Sequence, residues 1–302
     1  MTKPCLPPRA VTSAPNWQAP ANSTDCHFHI NGPYDRYPLS PGRSYSPPEA
    51  TVPAYQAMAR TIGIGRMVIV QPSTFGTDNR CTLDAVELLG RDQSRAVVVI
   101  DERVDDAQLR QMHAQGARGV RFNAVSGNGT PLAQLENLAA KVAPLGWHIQ
   151  FYTHGAQIAD LAQIIRKLPV TVVLDHMAGL QSDRGTAGPE FRAAVGLLQS
   201  GQAYVKLSGY RSSVEGYPYG DVAALARGYI EAAPDRCVWG TDWPHPNLYG
   251  ATHMPDDGQL LDLLGEWAPS DELRRKILVD NPARLYGFPT WLRRDPAPLD
   301  GA

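Results

Sequence analysis

The sequence predicts an α/β fold, a single (β/α)8 barrel of the TIM type. Eight short apolar or β-branched segments recur along the 302 residues, and amphipathic segments separate them. This alternation is typical of βαβ units with a parallel sheet. Several of the strand segments are near-continuous apolar runs, as expected for parallel strands that are covered on both faces. A doubly wound open sheet is the alternative, but no G-x-G-x-x-G or P-loop motif follows any predicted strand.

The individual elements follow from hydrophobic periodicity and from residues that begin or end helices. The predicted strands are residues 24–30, 66–72, 95–101, 117–123, 147–153, 170–176, 203–209 and 236–242. The helices with the clearest pattern are residues 131–145, 156–168, 259–268 and 270–280. Thr130 is expected to cap the first of these helices with Pro131 at its first position, and Ser270 is expected to cap the last.

The two ends of the chain differ from its middle in composition. Residues 1–22 are rich in Pro, Ala, Ser and Asn, which predicts an extended lead-in packed on a surface or partly disordered. Residues 23–290 are expected to form the barrel domain and residues 291–302 a frayed tail. The lead-in has no apolar core of the kind that a signal peptide needs, and no segment approaches 18 apolar residues. We therefore expect a cytoplasmic protein, either a monomer or a small homo-oligomer.

Charge and cysteine content exclude some classes of partner and of fold. The net charge is -2 with 19% charged residues, and no block of like charge occurs. Nucleic acids and anionic membranes need a basic surface, so neither is expected as a partner. The four cysteines form no C-x-x-C pair and are too sparse for a disulfide scaffold, which favours reduced thiols.

Polar residues at the carboxyl ends of the predicted strands indicate an active site. In a barrel of this type, the loops that follow the strands build the site at one mouth. The polar residues at three of these ends are His27 and His29 on the first strand, His176 on the sixth and Asp242 on the eighth. The two histidines of His27-x-His29 share a face because the side-chain period of a strand is two. By the same rule, Asp175 should point away from His176 and have a structural role.

Several motifs give the chain a family resemblance. They are D-C-H-F-H-I (25–30), V-I-V-Q-P-S-T-F-G-T-D-N (68–79), G-V-R-F-N (119–123), V-V-L-D-H-M (172–177), W-G-T-D-W-P-H-P-N (239–247) and N-P-A-R-L-Y (281–286). In this ordered set the chain resembles the amidohydrolase superfamily. More closely, it is similar to the 2-pyrone-4,6-dicarboxylate lactonase group and its sugar-lactone and sulfomuconolactone relatives. The resemblance covers about residues 24–288.

The resemblance implies a hydrolase that opens the ester bond of a small anionic lactone. Asp242 would take a proton from water and later protonate the leaving oxygen. His27, His29 and His176 would stabilise the oxyanion as hydrogen-bond donors. Three alternatives remain open at this stage: a lactone isomerase using the same site, a metal-dependent decarboxylase or hydratase, and a binding protein without activity.

The same four residues also match a ligand set for one divalent metal such as zinc. Binuclear members of the superfamily add a bridging Lys or Glu from the fourth strand, where this chain has Arg121. A guanidinium at that position disfavours a cation, and the group that the chain resembles works without metal. We therefore expect no cofactor, with a zinc site as the alternative and His154 as a further candidate ligand.

An anionic substrate is expected because arginines bind carboxylates or sulfonates with paired hydrogen bonds. The predicted substrate contacts are Arg121, Arg211, Tyr152, Ser73, Tyr45 and Asn247. The chain departs from the dicarboxylate lactonases in two places. It has Ala178-Gly179-Leu180 where they have an arginine after the strand-six histidine, and it lacks their second arginine within residues 123–127. A sugar-acid lactone or a monoanionic lactone is therefore a better fit than a planar dicarboxylate.

Overall fold

The computed structural model describes residues 2–125, 128–250 and 253–289, and its centre is a sheet of eight parallel strands. The strands are β1 (Thr24–Phe28), β2 (Arg66–Val70), β3 (Ser94–Val98), β4 (Ala117–Asn123), β5 (His148–Tyr152), β6 (Val172–Leu174), β7 (Ala203–Leu207) and β8 (Cys237–Trp239). The helices between and after them are α1 (Val52–Thr61), α2 (Arg80–Leu89), α3 (Asp106–Ala114), α4 (Leu135–Val142), α5 (Ile158–Ile165), α6 (Pro189–Gln199), α7 (Ala223–Ala232) and α8 (Asp257–Trp267).

The sheet closes on itself. Each strand pairs with the next one along the chain, and β1 meets β8 through a parallel bridge between Phe28 and Trp243. At this junction the Asp242 N–H donates to the His27 carbonyl at 2.7 Å, and the His29 N–H donates to the Trp243 carbonyl at 2.8 Å. Sequential neighbours and a closed edge confirm the predicted barrel and exclude the doubly wound alternative, which leaves two open edges.

Most of the predicted elements are confirmed, with shifts at their ends. The segment predicted as one helix from residue 131 is a 3-10 turn (Leu132–Gln134), then α4, then a second 3-10 turn (Ala143–Leu145). The expected cap was wrong, because the Thr130 hydroxyl donates to the Ile100 carbonyl at 2.5 Å instead. Ser270 does cap its helix, accepting from the Leu273 N–H at 3.2 Å.

The chain after α8 is less regular than predicted. A short helix α9 (Asp271–Arg275) continues as a π-helical turn (Lys276–Asp280) and then as α10 (Asn281–Tyr286). Tyr286 belongs to a buried cluster that also contains inward-facing residues of the strands. Tyr286 and Phe288 thereby cover one mouth of the barrel. The predicted tail, residues 291–302, lies outside the described residues.

The lead-in of the chain runs across the barrel surface. Lys3–Pro4 pairs in parallel with Tyr45–Ser46, and the Ser13 hydroxyl donates to Asp256 at 2.8 Å.

None of the described helices is long and apolar enough to cross a membrane.

Candidate active site

A shift of register in β1 turns both of its histidines into the barrel. Asp25 lies outside the barrel wall and accepts hydrogen bonds from Tyr55 Oη at 3.0 Å and from Thr241 Oγ1 at 2.7 Å. It also accepts from the backbone N–H groups of His27 and Thr241, each at 3.0 Å. Simple alternation would have left His27 on the same side as Asp25. The irregularity separates them, and the buried carboxylate, whose pKa burial raises to about 6, holds this arrangement in place.

The structure brings the four predicted catalytic residues together. The Asp242 Oδ1 atom lies 3.5 Å from His27 Nε2 and 3.3 Å from His29 Nε2. The ring of His27 lies 4.7 Å from that of His176, between centroids. All four side chains are buried. His176 and Asp242 both have positive φ, 48° and 61°, so β6 and β8 end earlier than predicted and their last polar residues turn toward the mouth.

The two oxygens of Asp242 have different surroundings. Oδ2 accepts from the Tyr210 hydroxyl at 2.6 Å and from Arg211 Nε, whereas Oδ1 has no hydrogen-bond partner among the described residues. Burial alone would raise the pKa of Asp242, but the Arg211 guanidinium and the neighbouring histidines together outweigh it and hold the pKa well below its ordinary value. Asp242 is therefore an ionised carboxylate with one oxygen left to act on a ligand.

The prediction for Asp175 was wrong, because its carboxylate points into the barrel. Its Oδ1 lies 3.2 Å from His27 Nδ1, and its Oδ2 accepts from Gln150 Nε2 at 3.0 Å and lies 3.5 Å from Arg121 Nε. The regular strand ends at Leu174, and the left-handed backbone at His176 brings that neighbouring side chain to the same side. Alternation therefore fails at this point of the chain.

Lys206 is the main residue that the sequence reasoning missed. Its side chain is fully buried inside the barrel, where Nζ lies 2.7 Å from Gln150 Oε1, 3.1 Å from His27 Nδ1 and 3.2 Å from Asp175 Oδ1. A signal was available, because a single lysine interrupts the otherwise apolar run of β7 at an inward position, two residues after Tyr204. A buried lysine needs a partner.

The hydrogen bonds of His29 determine which of its nitrogens carries the proton. Its Nδ1 lies 2.7 Å from the Val70 carbonyl, which can only accept, so Nδ1 is the donor. Burial lowers the pKa of His29, which favours the neutral ring. Nε2 then presents a lone pair toward Asp242 Oδ1. A neutral His29 is thus a hydrogen-bond acceptor toward the site, in disagreement with the predicted role as an oxyanion donor.

Four predicted substrate contacts lie beside this cluster. Arg121 is buried, donates to the Gln71 carbonyl at 3.3 Å and lies 5.6 Å from the ring centre of Tyr152. The Tyr152 ring is in turn 5.0 Å from His176. Tyr45 is hydrogen-bonded to Ser73, and burial raises its pKa to about 12 although Arg121 and Arg211 both oppose the shift. These four side chains therefore lie close to the four predicted catalytic residues.

The remaining predicted residues are placed differently. Arg211 pairs with Asp242 and also donates to the Pro246 carbonyl at 2.8 Å. Asn247 accepts from the Tyr249 hydroxyl at 2.9 Å, so its amide oxygen is already engaged. His154 is exposed and belongs to neither group of potential metal ligands in the described chain, so the structure does not bring it to the predicted cluster.

Two overlapping groups of side chains have ligand atoms close enough to share a metal ion. One group is His27, His29 and Asp242, and the other is His27, Asp175 and His176, with ligand atoms within 4.8 Å of one another in each. Distance therefore permits a metal at this site.

The charges around these groups fit a metal poorly. Arg121 and Lys206 contact Asp175, and Arg211 contacts Asp242, so three cationic side chains face two carboxylates. A divalent cation would add further positive charge to a buried region, where charge is expensive unless it is paired.

Comparison with known proteins shows which chains this one is similar to. The amidohydrolase family model matches residues 24–288. A 2-pyrone-4,6-dicarboxylate hydrolase from Comamonas testosteroni is 39% identical, covering 92% of this chain and 94% of that protein. A 4-sulfomuconolactone hydrolase from Hydrogenophaga intermedia is 38% identical, covering 94% of each chain. A D-galactarolactone isomerase from Agrobacterium fabrum is 32% identical, covering 91% of this chain and 94% of that protein.

A solved structure extends the likeness to three dimensions. The crystal structure of an Agrobacterium tumefaciens protein without ligand superimposes with a TM-score of 0.86 at 31% identity, covering 93% of this chain and 99% of that one. The matched residues run from the first residue of β1 to the end of the helices that follow β8. The chain belongs to the amidohydrolase family.

Proposed function

We propose that this protein hydrolyses the ester bond of a small anionic lactone. The observation that carries the proposal is the pair of acceptors formed by Asp242 Oδ1 and His29 Nε2, which lie 3.3 Å apart in a buried site. Two acceptors at this distance repel each other unless a donor joins them. A water molecule satisfies both by donating one hydrogen to each, and a water held in this way is positioned as a nucleophile.

The other side chains supply what the remaining steps require. As the water oxygen attacks the lactone carbonyl, its proton moves to Asp242, and His29 keeps the attacking oxygen oriented. The carbonyl oxygen becomes negative and accepts hydrogen bonds from His27 and His176, whose rings lie side by side. One donor of this kind contributes about 3 kcal/mol to the transition state. When the ring C–O bond breaks, Asp242 returns the proton to the leaving oxygen.

The substrate is proposed to carry a negative charge. Arg121 and Arg211 both lie near enough to Tyr45 to oppose the rise of its pKa, and their guanidinium groups can bind a carboxylate or sulfonate. The related enzymes are named for 2-pyrone-4,6-dicarboxylate and 4-sulfomuconolactone, which are both anionic. Residues 178–180 hold no arginine, so we favour a lactone with one acidic group over a planar dicarboxylate.

We further propose that the reaction proceeds without a metal. The support is the excess of cationic side chains already in contact with the two buried carboxylates. In this proposal the fixed positive charges and the histidine N–H groups stabilise the oxyanion, which is the role that a metal would otherwise have.

A lactone isomerase is a second candidate, favoured by the similarity to the D-galactarolactone isomerase. In that reaction a hydroxyl of the substrate would take the place of water between Asp242 and His29. The same base and the same donors would serve both reactions.

A panel of lactones assayed by pH-stat tests the proposal. Hydrolysis releases an acid and consumes titrant, whereas isomerisation consumes none and is followed by NMR of the product. We expect titrant uptake with anionic lactones and none with the Asp242→Asn variant. Conversion without titrant uptake would favour the isomerase, and no conversion of any lactone would refute both.

A further inference from the structure

Lys206 lies beneath the reacting groups, and three polar atoms surround its ammonium group. An ammonium group has three N–H donors. Its hydrogen-bond partners are Gln150 Oε1 at 2.7 Å and His27 Nδ1 at 3.1 Å, and Asp175 Oδ1 forms an ion pair with it at 3.2 Å. The lysine is fully buried and is separated from the mouth of the barrel by His27, so it does not contact a substrate bound there.

The orientation of the neighbouring groups determines how these protons are used. Gln150 Nε2 donates to the Asp175 carboxylate at 3.0 Å, which fixes the amide and directs Oε1 at Lys206. Asp175 Oδ1 lies 3.2 Å from His27 Nδ1, but it is not aligned to accept an N–H from that ring and has no hydrogen-bond partner of its own. Lys206 Nζ is the group aligned with Nδ1. A lysine ammonium can only donate, so His27 Nδ1 is the acceptor in this pair.

We propose that Lys206 is a positioning residue that fixes the tautomer of His27, so that His27 presents an Nε2–H to the substrate while His29 presents a lone pair. A neutral imidazole carries one proton, so a hydrogen bond accepted at Nδ1 requires the proton on Nε2. Lys206 and the Val70 carbonyl thus give the two histidines of one motif opposite tautomers. One histidine stabilises the oxyanion and the other orients the water.

The proposed tautomer of His27 also disfavours metal binding. An imidazole binds a metal through an unprotonated nitrogen. In the proposed tautomer, Nε2 of His27 carries a proton and the lone pair on Nδ1 is used by Lys206. Both groups of potential ligands include His27. The same lysine that prepares His27 as a donor therefore removes it from either ligand set.

The proposal rests on the proposed lactone chemistry only for its catalytic consequence, because the tautomer is measurable without any substrate. Long-range ¹H–¹⁵N correlation spectra of ¹⁵N-labelled protein distinguish the two neutral tautomers. The His27→Gln and His29→Gln variants assign the two rings by loss of their signals. We expect the Nε2–H tautomer for His27 and the Nδ1–H tautomer for His29. An Nδ1–H tautomer for His27 in the wild-type protein would overturn the proposal.

The variant Lys206→Met tests the effect on turnover. With the ammonium removed, Asp175 is the remaining group beside His27 Nδ1 and draws the proton there. We expect the His27 signals to change tautomer and kcat to fall about 100-fold, the loss typical of one oxyanion donor. KM should stay within about threefold of the wild-type value, because Lys206 does not touch the substrate. An unchanged kcat with a folded protein would contradict the proposal.

A matched control is Tyr204→Phe, which alters the preceding inward position of the same buried strand. It should leave both the His27 tautomer and kcat unchanged. If Lys206→Met fails to fold, the wild-type spectrum still decides the proposal. If the wild-type protein converts no lactone but has the expected tautomers, the proposed function fails while the assignment of Lys206 stands.

Discussion

Arg121 offers a sharp test of charge recognition, because the structure supplies both a recognition role and a structural one. The guanidinium is buried, donates to the Gln71 carbonyl at 3.3 Å and lies 3.5 Å from Asp175. Both contacts are long, and Nε has no hydrogen-bond partner among the described residues. A buried donor left unpaired is costly, so its place beside Tyr152 suits a group that pairs with an incoming anion.

The variant Arg121→Met keeps most of the length of the side chain and removes its donors. A hydrogen bond to a charged group contributes about 1.5–3 kcal/mol. If Arg121 binds the acidic group of the substrate, KM for an anionic lactone should rise roughly 10- to 150-fold, since about 1.4 kcal/mol corresponds to tenfold. A neutral lactone should lose little. Arg121→Lys should recover part of the loss, because an ammonium cannot reproduce the planar fork.

The assay compares KM for one anionic and one neutral lactone of similar size, together with melting curves of wild type and both variants. The structural alternative makes Arg121 a partner of Asp175. It predicts a lower melting temperature and equal penalties on the two substrates. Equal penalties would refute the recognition role.

Three further outcomes follow from the site. Asp242→Asn should lower kcat about 10²- to 10⁴-fold with the fold retained, as checked by circular dichroism, because the amide cannot accept the proton of water; turnover within threefold of wild type would remove Asp242 from the mechanism. Prolonged dialysis against a chelator should leave activity unchanged, and loss that added zinc or manganese restores would contradict this. Because burial lowers the pKa of His29 and brings that of His176 to about 3, kcat/KM should not fall as the pH passes through the ordinary histidine pKa of about 6.5; an acidic decline near that pH that disappears in a His29 variant would contradict it.

The sequence predicted the barrel well because hydrophobic periodicity reports directly on burial. Every predicted strand is present, and β4 occupies its predicted residues, 117–123. The errors lie at the ends, where local hydrogen bonds compete with periodicity. Thr130 illustrates this, because its position before Pro131 is typical of a helix cap. Its hydroxyl instead donates a hydrogen bond to the Ile100 carbonyl of the neighbouring loop. A hydrogen bond between residues that are far apart in the chain cannot be predicted from the neighbouring residues alone.

The site residues were predicted from their positions at strand ends, but their roles depend on features that the sequence pattern does not contain. The rule that placed His27 and His29 on one face is sound, yet it would equally place Asp25 there, and Asp25 lies on the opposite side of the wall. The register shift in β1 breaks the rule between Asp25 and His27. Lys206 was passed over because a lysine in a strand is usually exposed.

Asp175 was assigned to the wrong face by the same alternation, and the two errors have one cause. Asp175 and Lys206 form a pair 3.2 Å apart, and burying either charge without a partner is costly. Taken alone, each of these charged residues is predicted to lie outside the barrel. Considered together, a lone lysine on β7 and a lone aspartate at the end of β6 satisfy each other, because the two strands are neighbours in a barrel of sequential order. Pairing unmatched charges on adjacent strands therefore predicts that Asp175 and Lys206 both face the barrel interior, where they contact His27.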